Sequence, residues 1–318
     1  MYSIMKVFLY RCRCSKLFWI SIVAAFISGI LFGLSTSGLS LGDKGSFDDM
    51  FIVPIFVIEC IFLSLMIGRE YSDGTIRNQL IAGKRRRDIF GANVGIAFFT
   101  TSIFVILFVI GFSVTAYGST IRYLSLEVQM KALFSFLFVN YAWMAIFVCV
   151  SLLIPSREIG VLMNLVLIIV IMFSSYQLEH LLGQPEFMLQ ESVIETVELT
   201  PEEIRQVHDG TFSGNYWYEV NSDETLTYYK DIMKEEEIPN PRALGAVTKS
   251  IVTHIDYFMP YGQVNMYVSF LTAYLYSPSP DHVLQEYQDV NTFPIYSVLL
   301  IIVVILSGSI FFEQKNIK

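Results

Sequence analysis

The sequence predicts an all-α integral membrane protein, with six transmembrane helices and a large, mostly helical extracytoplasmic domain between helices five and six. Three observations predict it. The chain of 318 residues is 54% hydrophobic and only 16% charged, where soluble domains are about 25% charged. Its apolar residues are gathered into six runs, each close to the roughly 20 residues that cross a ~30 Å hydrocarbon core. Its basic residues fall on alternate connections, as the two sides of a membrane require. A helix spanning lipid also satisfies its own backbone hydrogen bonds.

The N-terminal segment 1–16 carries Lys6, Arg11, Arg13 and Lys16 and no acid. Ile4, Val7 and Phe8 share one face, which predicts a helix lying in the cytoplasmic interface. Leu17–Leu34 is the first span. Its 18 residues exceed a secretory apolar region, and no small-residue cleavage site follows. Gly29 and Gly33 form a small-xxx-small pair that would admit a second helix; a chance pair in a glycine-bearing apolar helix looks the same. Ser35–Asp49 is a polar connection and Met50–Ile67 the second span. The third span covers about Ala92–Ala116, and Tyr117–Ala132 links it to the fourth, Leu133–Ile154. Pro155–Glu158 is a tight turn, and Ile159–Leu178 is the fifth span. Spans one to five thus occupy residues 17–178. Residues 292–318 hold the sixth, Phe293–Phe312, and a tail.

Basic residues orient the chain. They sit in the N-terminal segment, in the connection after span two (Arg69, Arg77, Lys84, Arg85, Arg86, Arg87), at Arg157 and in the tail (Lys315, Lys318). These positions share one side, which predicts both termini in the cytoplasm of a multi-pass protein of the cell membrane; the membrane expected is a bacterial plasma membrane. The segment 179–291 is then extracytoplasmic. It holds nineteen acidic and five basic residues, so the net charge of −8 comes from this region and indicates no nucleic acid. Thr200-Pro201-Glu202-Glu203 marks a helix start. Asp223–Glu237 reads as a further helix stopped by Pro239, and Arg242–Phe258 is amphipathic. Tyr261–Tyr276 suits a re-entrant or interfacial helix.

The connection 68–88 stands apart. Asp73 is positioned to cap a short helix. Ile76 and Leu80 lie one turn apart, with Ile81 beside them. Gly83 sits where a left-handed residue would end the helix, and four basic residues follow. The helix is too short to span a bilayer and suited to lie against a partner.

Catalytic motifs are absent from the sequence. Gly83-Lys84 lacks the flanking residues of a phosphate-binding loop, so the chain is not expected to hydrolyse ATP itself. No Gly-x-Ser-x-Gly or His-Glu-x-x-His occurs. The four cysteines indicate neither a disulfide framework nor a zinc site. The histidines (His180, His208, His254, His282) match no metal spacing, although each has an acid nearby. Glu59 lies mid-span, where a carboxylate is expensive unless it faces a polar cavity or a partner. It would line a substrate path or pair across a dimer seam, or stay neutral and hydrogen-bonded inside the bundle.

Glu70, Gly74-Thr75, Arg77 and the basic cluster ending at Arg87 carry a resemblance, as does the finish Phe311-Phe312-Glu313-Gln314-Lys315. With six spans and both ends inside, the chain resembles the transmembrane permease subunit of the type-2 ABC exporter superfamily over roughly residues 1–180 and 290–318. The outer segment departs from the compact members. The resemblance implies that Glu70, Gly74, Thr75, Ile76, Arg77, Leu80 and Arg87 dock onto a separate ATP-binding subunit. ATP and Mg would be held there, with no cofactor bound by this chain. It also implies a second permease subunit, identical or related. Membrane lipid is the remaining partner, with Lys84–Arg87 suited to its headgroups. The expected function is export or expulsion of an amphipathic substrate, a peptide first, since nineteen acids would attract cationic molecules. The alternative is a non-transporting membrane sensor or scaffold whose outer domain binds a ligand.

Overall fold

The computed structural model describes residues 2–36, 52–116, 124–212, 215–221, 225–240, 242–276 and 292–315. Most of the expected polar connection Ser35–Asp49, part of the link Tyr117–Ala132, His282, Lys318 and the side chains of Ile4 and Phe8 lie outside the described residues. The chain forms two units, one of Met1–Glu179 with Ile251–Lys318 and one of His180–Ser250.

The first unit is helical. It contains α1 (Tyr2–Cys14), α2 (Lys16–Thr36), α3 (Val53–Ser72), α4 (Thr75–Ile81), α5 (Arg86–Ala116), α6 (Leu126–Leu153) and α7 (Arg157–Leu182). Among the described residues, five helices are long and apolar enough to cross a membrane: α2, α5, α6, α7 and Phe293–Gln314 near the C-terminus. The expected second span is not among them. Its helix, α3, starts only at Val53 and includes Glu59, Arg69 and Glu70 within 20 residues. Three charged side chains in a helix of 20 residues set α3 apart from the five others.

Packing follows small residues. A Cβ on Gly29 would lie 2.0 Å from the Phe108 carbonyl oxygen, and one on Gly111 would lie 2.3 Å from that of Phe26. Gly33 abuts Phe112 and Thr115 at the next turn, and the Thr115 hydroxyl donates to the Ile30 carbonyl at 3.3 Å. The pair Gly29 and Gly33 therefore marks a seam where the backbones of α2 and α5 touch. The contacts advance together along both helices, so α2 and α5 run parallel. α3 and α6 are likewise parallel. Phe56 packs on Trp143 with ring centroids 5.4 Å apart, and two turns on, Ser151 Oγ lies 3.2 Å from Ser64 Oγ. Trp143 is also stacked on Phe147, which fills the centre of the bundle.

The second unit brings a sheet into the segment 179–291, which was expected to be mostly helical. It contains β1 (Phe187–Glu198), α8 (Pro201–His208), β2 (Tyr216–Val220) and β3 (Leu226–Pro239). The strands form one antiparallel sheet in the order β1-β3-β2. Asp223–Glu237, read as a helix, is largely β3. Tertiary pairing decided this. Tyr228 and Tyr229 lie opposite Tyr218 and Trp217, and the Trp217 and Tyr229 rings stack at 4.6 Å. Such aromatic cross-strand pairs favour a sheet over helical propensity. The helix at Thr200 forms as expected: its hydroxyl accepts from Glu203 N, and the Glu203 carboxylate accepts from Thr200 N.

After the sheet come α9 (Ala246–Phe258), α10 (Pro260–Tyr276) and α11 (Phe293–Gln314). α10 is the segment expected to be re-entrant or interfacial. Its Tyr261, Val264, Val268 and Phe270 are buried in the helical unit. α11 runs parallel to α6, with Phe293 near Val128 at one end and Gly308 against Cys149 at the other.

Candidate functional site

The connection after α3 is a compact knot. α3 ends at Ser72, and α4 is a single seven-residue helix, Thr75–Ile81. Asp73 does not cap it, contrary to expectation. Gly74 is the N-cap residue, left-handed at φ 65°, and Asp73 forms an ion pair with Arg69 one turn back, at 3.4 Å. The turn needs positive φ at its second position, which glycine adopts without strain. Gly83 ends α4 at φ 80°, as expected. Lys84 N donates to Gln79 O at 3.1 Å and Gly83 N to Leu80 O at 3.0 Å, the pairing that satisfies the last carbonyls of a helix.

The apolar anchor is distributed differently from the expectation. Ile76 is 1% exposed, inside the chain's own core, and Leu80 packs half-buried against the same core. Only Ile81 stands free, at 75% exposure. With seven residues, α4 has two turns; the face carrying Ile76 closes onto α3 and α5. Arg77, Asn78, Ile81, Lys84 and Arg85 are left outward.

Glu70 is 4% exposed. Arg11 on α1 donates to it at 2.9 Å and to the Thr75 hydroxyl at 3.3 Å. A carboxylate taken from water needs such a charged partner. Glu70 and Thr75 thus join α1 to the knot instead of facing outward.

The C-terminal tail closes the other side. Arg87 and Glu313 form a two-point ion pair, with Nη2 3.0 Å from Oε2. Arg86 donates to the carbonyls of Phe312, Glu313 and Lys315, groups that the end of a helix leaves unpaired. Lys315 donates to the Tyr71 hydroxyl at 2.9 Å and the Leu152 carbonyl at 3.0 Å, and Tyr71 itself donates to that carbonyl. Burial lowers the Lys315 ammonium to about 8. α3, α5, α6 and α11 are therefore tied together at one end. Tyr71, Arg86, Glu313, Lys315 and Arg11 have no spacing signal in the sequence that marks this role; the tail is more than 160 residues from each of its partners.

The turn Pro155–Glu158 belongs to the same end. A Cβ on Gly68 would lie 2.8 Å from the Arg157 Cα. Between these parts lies a cavity of about 630 Å³ whose wall includes Arg11, Arg69, Glu70, Asp73 and Arg157.

Glu59 is fully buried, and neither carboxylate oxygen has a hydrogen-bond partner. It does not line the cavity beside Arg11 and Glu70. Nearer the knot, Asn164 Nδ2 donates to Ser64 Oγ at 2.8 Å, Ser151 Oγ at 2.9 Å and Phe147 O at 3.2 Å. This small network joins α3, α6 and α7.

A second polar cluster sits where α7, α9 and α10 meet. Asp256 is 1% exposed and packs so closely on Gly262 that a Cβ there would lie 2.3 Å from its Oδ1. Burial raises its carboxyl to about 7; the Glu179 charge adds to the rise and the Ser175 hydroxyl opposes it. A raised acid binds its proton more tightly folded than unfolded. Its contribution to stability is therefore complete below about pH 4, the unfolded value, and is lost as pH rises through about 7. The Tm of the purified chain is expected to fall between about pH 4 and 7, and Asp256→Asn is expected to flatten that slope. A slope identical in the variant would refute the assignment.

Among the described residues, no group of three His, Cys, Asp or Glu side chains is placed to hold a metal ion, and all four cysteines are free. His254 pairs with the Tyr296 hydroxyl at 2.9 Å, and His208 packs on Tyr228.

No known family, characterised protein sequence or solved structure matches the chain.

Proposed function

We propose that this chain is the membrane-spanning permease subunit of an ATP-driven exporter, with ATP and Mg held by a separate ATP-binding subunit. The observation that carries the reading is the knot at 68–88. It is tied to α1 by Arg11 and to the tail by Arg87, and it leaves Arg77, Ile81 and Lys84 outward. A short helix bound on one side to several long helices transmits a push on its other side to all of them. That is what a coupling element must do, and an amphipathic helix merely resting on lipid has no need of it.

The directions of the helices support six crossings with both termini in the cytoplasm. α2 and α5 run parallel, so the chain returns between them, and α3 is the long helix available for the return. The basic residues of α1, the knot, the turn at Arg157 and the tail then share the cytoplasmic side. The second unit, with its acidic residues, lies outside. The substrate is an amphipathic molecule, first a cationic peptide, drawn by that charge. A second permease subunit, identical or related, completes the path.

The buried position of Ile76 moves the docking contact to Arg77 and Ile81. Detergent-solubilised chain is expected to co-purify with an ATP-binding subunit, and the double variant Arg77→Glu with Ile81→Asp is expected to weaken that binding by at least about tenfold. Pull-down of no ATP-binding protein, or equal recovery with the variant, would defeat the proposal and favour a sensor or scaffold.

A further inference from the structure

The cavity of about 630 Å³ beside the knot lies between α1, the start of α2, the end of α3 and the turn at Arg157. Its size is within the roughly 300–1,000 Å³ of small-molecule sites. The wall has two parts. Arg11, Arg69, Glu70, Asp73 and Arg157 form one, and Leu17, Phe62, Leu65 and Met66 form the other.

The two parts are ordered along the helices. Arg11 Nη1 lies 2.9 Å from Glu70 Oε1, Cys12 Sγ 3.6 Å from Met66 Sδ, and the Phe18 ring centroid 5.9 Å from that of Phe62. α1 and α2 therefore run antiparallel to α3 here, and both sides of the cavity pass from charged to apolar in the same direction. α2 is long and apolar enough to cross a membrane and begins at Lys16. Arg11 lies before that start, and Leu17 lies within the helix. The cavity thus has the profile of one leaflet of a bilayer, with headgroup depth at the guanidiniums and hydrocarbon depth at Leu17 and Phe62.

The charges in the wall do not cancel. Glu70 is matched by Arg11, and Asp73 by Arg69 at 3.4 Å. Arg157 pairs with Glu158 at 3.7 Å, but Glu158 is 79% exposed and outside the wall. A pair so open to solvent contributes little, which leaves the Arg157 guanidinium to a ligand. Guanidinium groups present paired donors that fit a phosphate. A phosphodiester carries a single negative charge, equal to the excess in the wall, and a zwitterionic headgroup carries none. A free phosphate would leave Leu17, Phe62, Leu65 and Met66 against water.

We propose that this cavity binds one anionic phospholipid of the phosphatidylglycerol type, with its phosphodiester on Arg157 and Arg69 and the upper part of an acyl chain against Phe62 and Leu65. Basic recesses between membrane helices hold anionic headgroups by the same chemistry. The proposal needs only that the helices lie in a bilayer. It stands or falls separately from transport and from the outward face at Arg77 and Ile81. A lipid seated there would bridge α1, α3 and the turn at Arg157.

Cys14 makes the site readable, because it lines the cavity and is exposed, whereas Cys12, Cys60 and Cys149 are buried. The full chain in a neutral detergent is mixed with dioleoylphosphatidylglycerol, with dioleoylphosphatidylcholine or with inorganic phosphate. Alkylation of Cys14 by N-ethylmaleimide is then followed by intact mass. Phosphatidylglycerol is expected to slow the reaction in proportion to occupancy, with one molecule retained per chain in native mass spectrometry. Phosphatidylcholine and inorganic phosphate are expected to leave the rate unchanged. Arg157→Gln is expected to raise the half-protecting concentration of phosphatidylglycerol about fivefold, and Arg157→Gln with Arg69→Gln about 25-fold, at about fivefold for each basic residue removed. Both side chains reach solvent, and the single variant decides the matter if the double variant does not fold. Arg13→Gln, exposed on α1 and outside the wall, is expected to change nothing. No protection by phosphatidylglycerol, equal protection by phosphatidylcholine, protection by inorganic phosphate, or the same half-protecting concentration in Arg157→Gln as in Arg13→Gln would each overturn the proposal.

Discussion

Replacing Gly29 by valine is expected to leave no folded protein in the membrane fraction. The added Cβ would stand 2.0 Å from the Phe108 carbonyl oxygen, and backbone cannot move aside as a side-chain tip can. Gly111 faces the same seam from α5, 2.3 Å from the Phe26 carbonyl, so separating the helices at one site opens the other. Overpacking a core by a methylene or two costs about 1–3 kcal/mol where side chains can shift; a seam limited by backbone should cost more. Gly160 is the control, since a Cβ there meets nothing within 4 Å. Gly160→Ala is expected to be neutral or to stabilise its helix by up to about 1 kcal/mol. Size-exclusion profiles and thermal unfolding of the purified variants decide the matter. A wild-type Tm for Gly29→Val would show that α2 and α5 do not touch there.

Ile76→Asp is expected to unfold the end of the bundle that carries the knot, and Ile81→Asp to leave it intact. The two residues are five apart on one short helix, and hydrophobicity does not distinguish them. Ile76 is 1% exposed and Ile81 75%. A carboxylate in place of Ile76 would be buried without a partner, at a cost on the order of 3–5 kcal/mol. At Ile81 it would meet solvent, within about 0.5 kcal/mol of neutral. Comparable Tm values for the two variants would place Ile76 on the outside of the knot and return it to the docking surface. The contrast also separates a loss of partner binding from a loss of fold. Ile81→Asp that keeps its Tm while losing the proposed ATP-binding subunit affects docking alone.

Much of the membrane part is legible in the sequence, because length and hydropathy act locally. The runs near Ala92–Ala116, Leu133–Ile154 and Phe293–Phe312 become α5, α6 and α11, each somewhat longer than its apolar core. Gly83 is legible because a left-handed turn after a short helix favours glycine. Asp73 misleads for an equally local reason. The chain turns at Gly74, one residue later than the capping pattern suggests, and the carboxylate pairs with Arg69 instead. The strand at Leu226–Pro239 was hidden because its acidic, lysine-bearing stretch is compatible with a helix. Only its antiparallel partners, Tyr216–Val220 and Phe187–Glu198, make a strand the better choice.

By itself the sequence determined that this protein is built of membrane-length helices, where its short polar knot lies and which connections carry the basic residues. These follow from composition along the chain. The tertiary structure decided which face of the knot is free, that Glu70 pairs with Arg11, and that the tail binds the start of α5 and the end of α3. It also decided that Gly29 and Gly33 form a contact seam. Each of these joins residues far apart in the chain, and a pattern read along one segment does not contain the surface that another segment will cover.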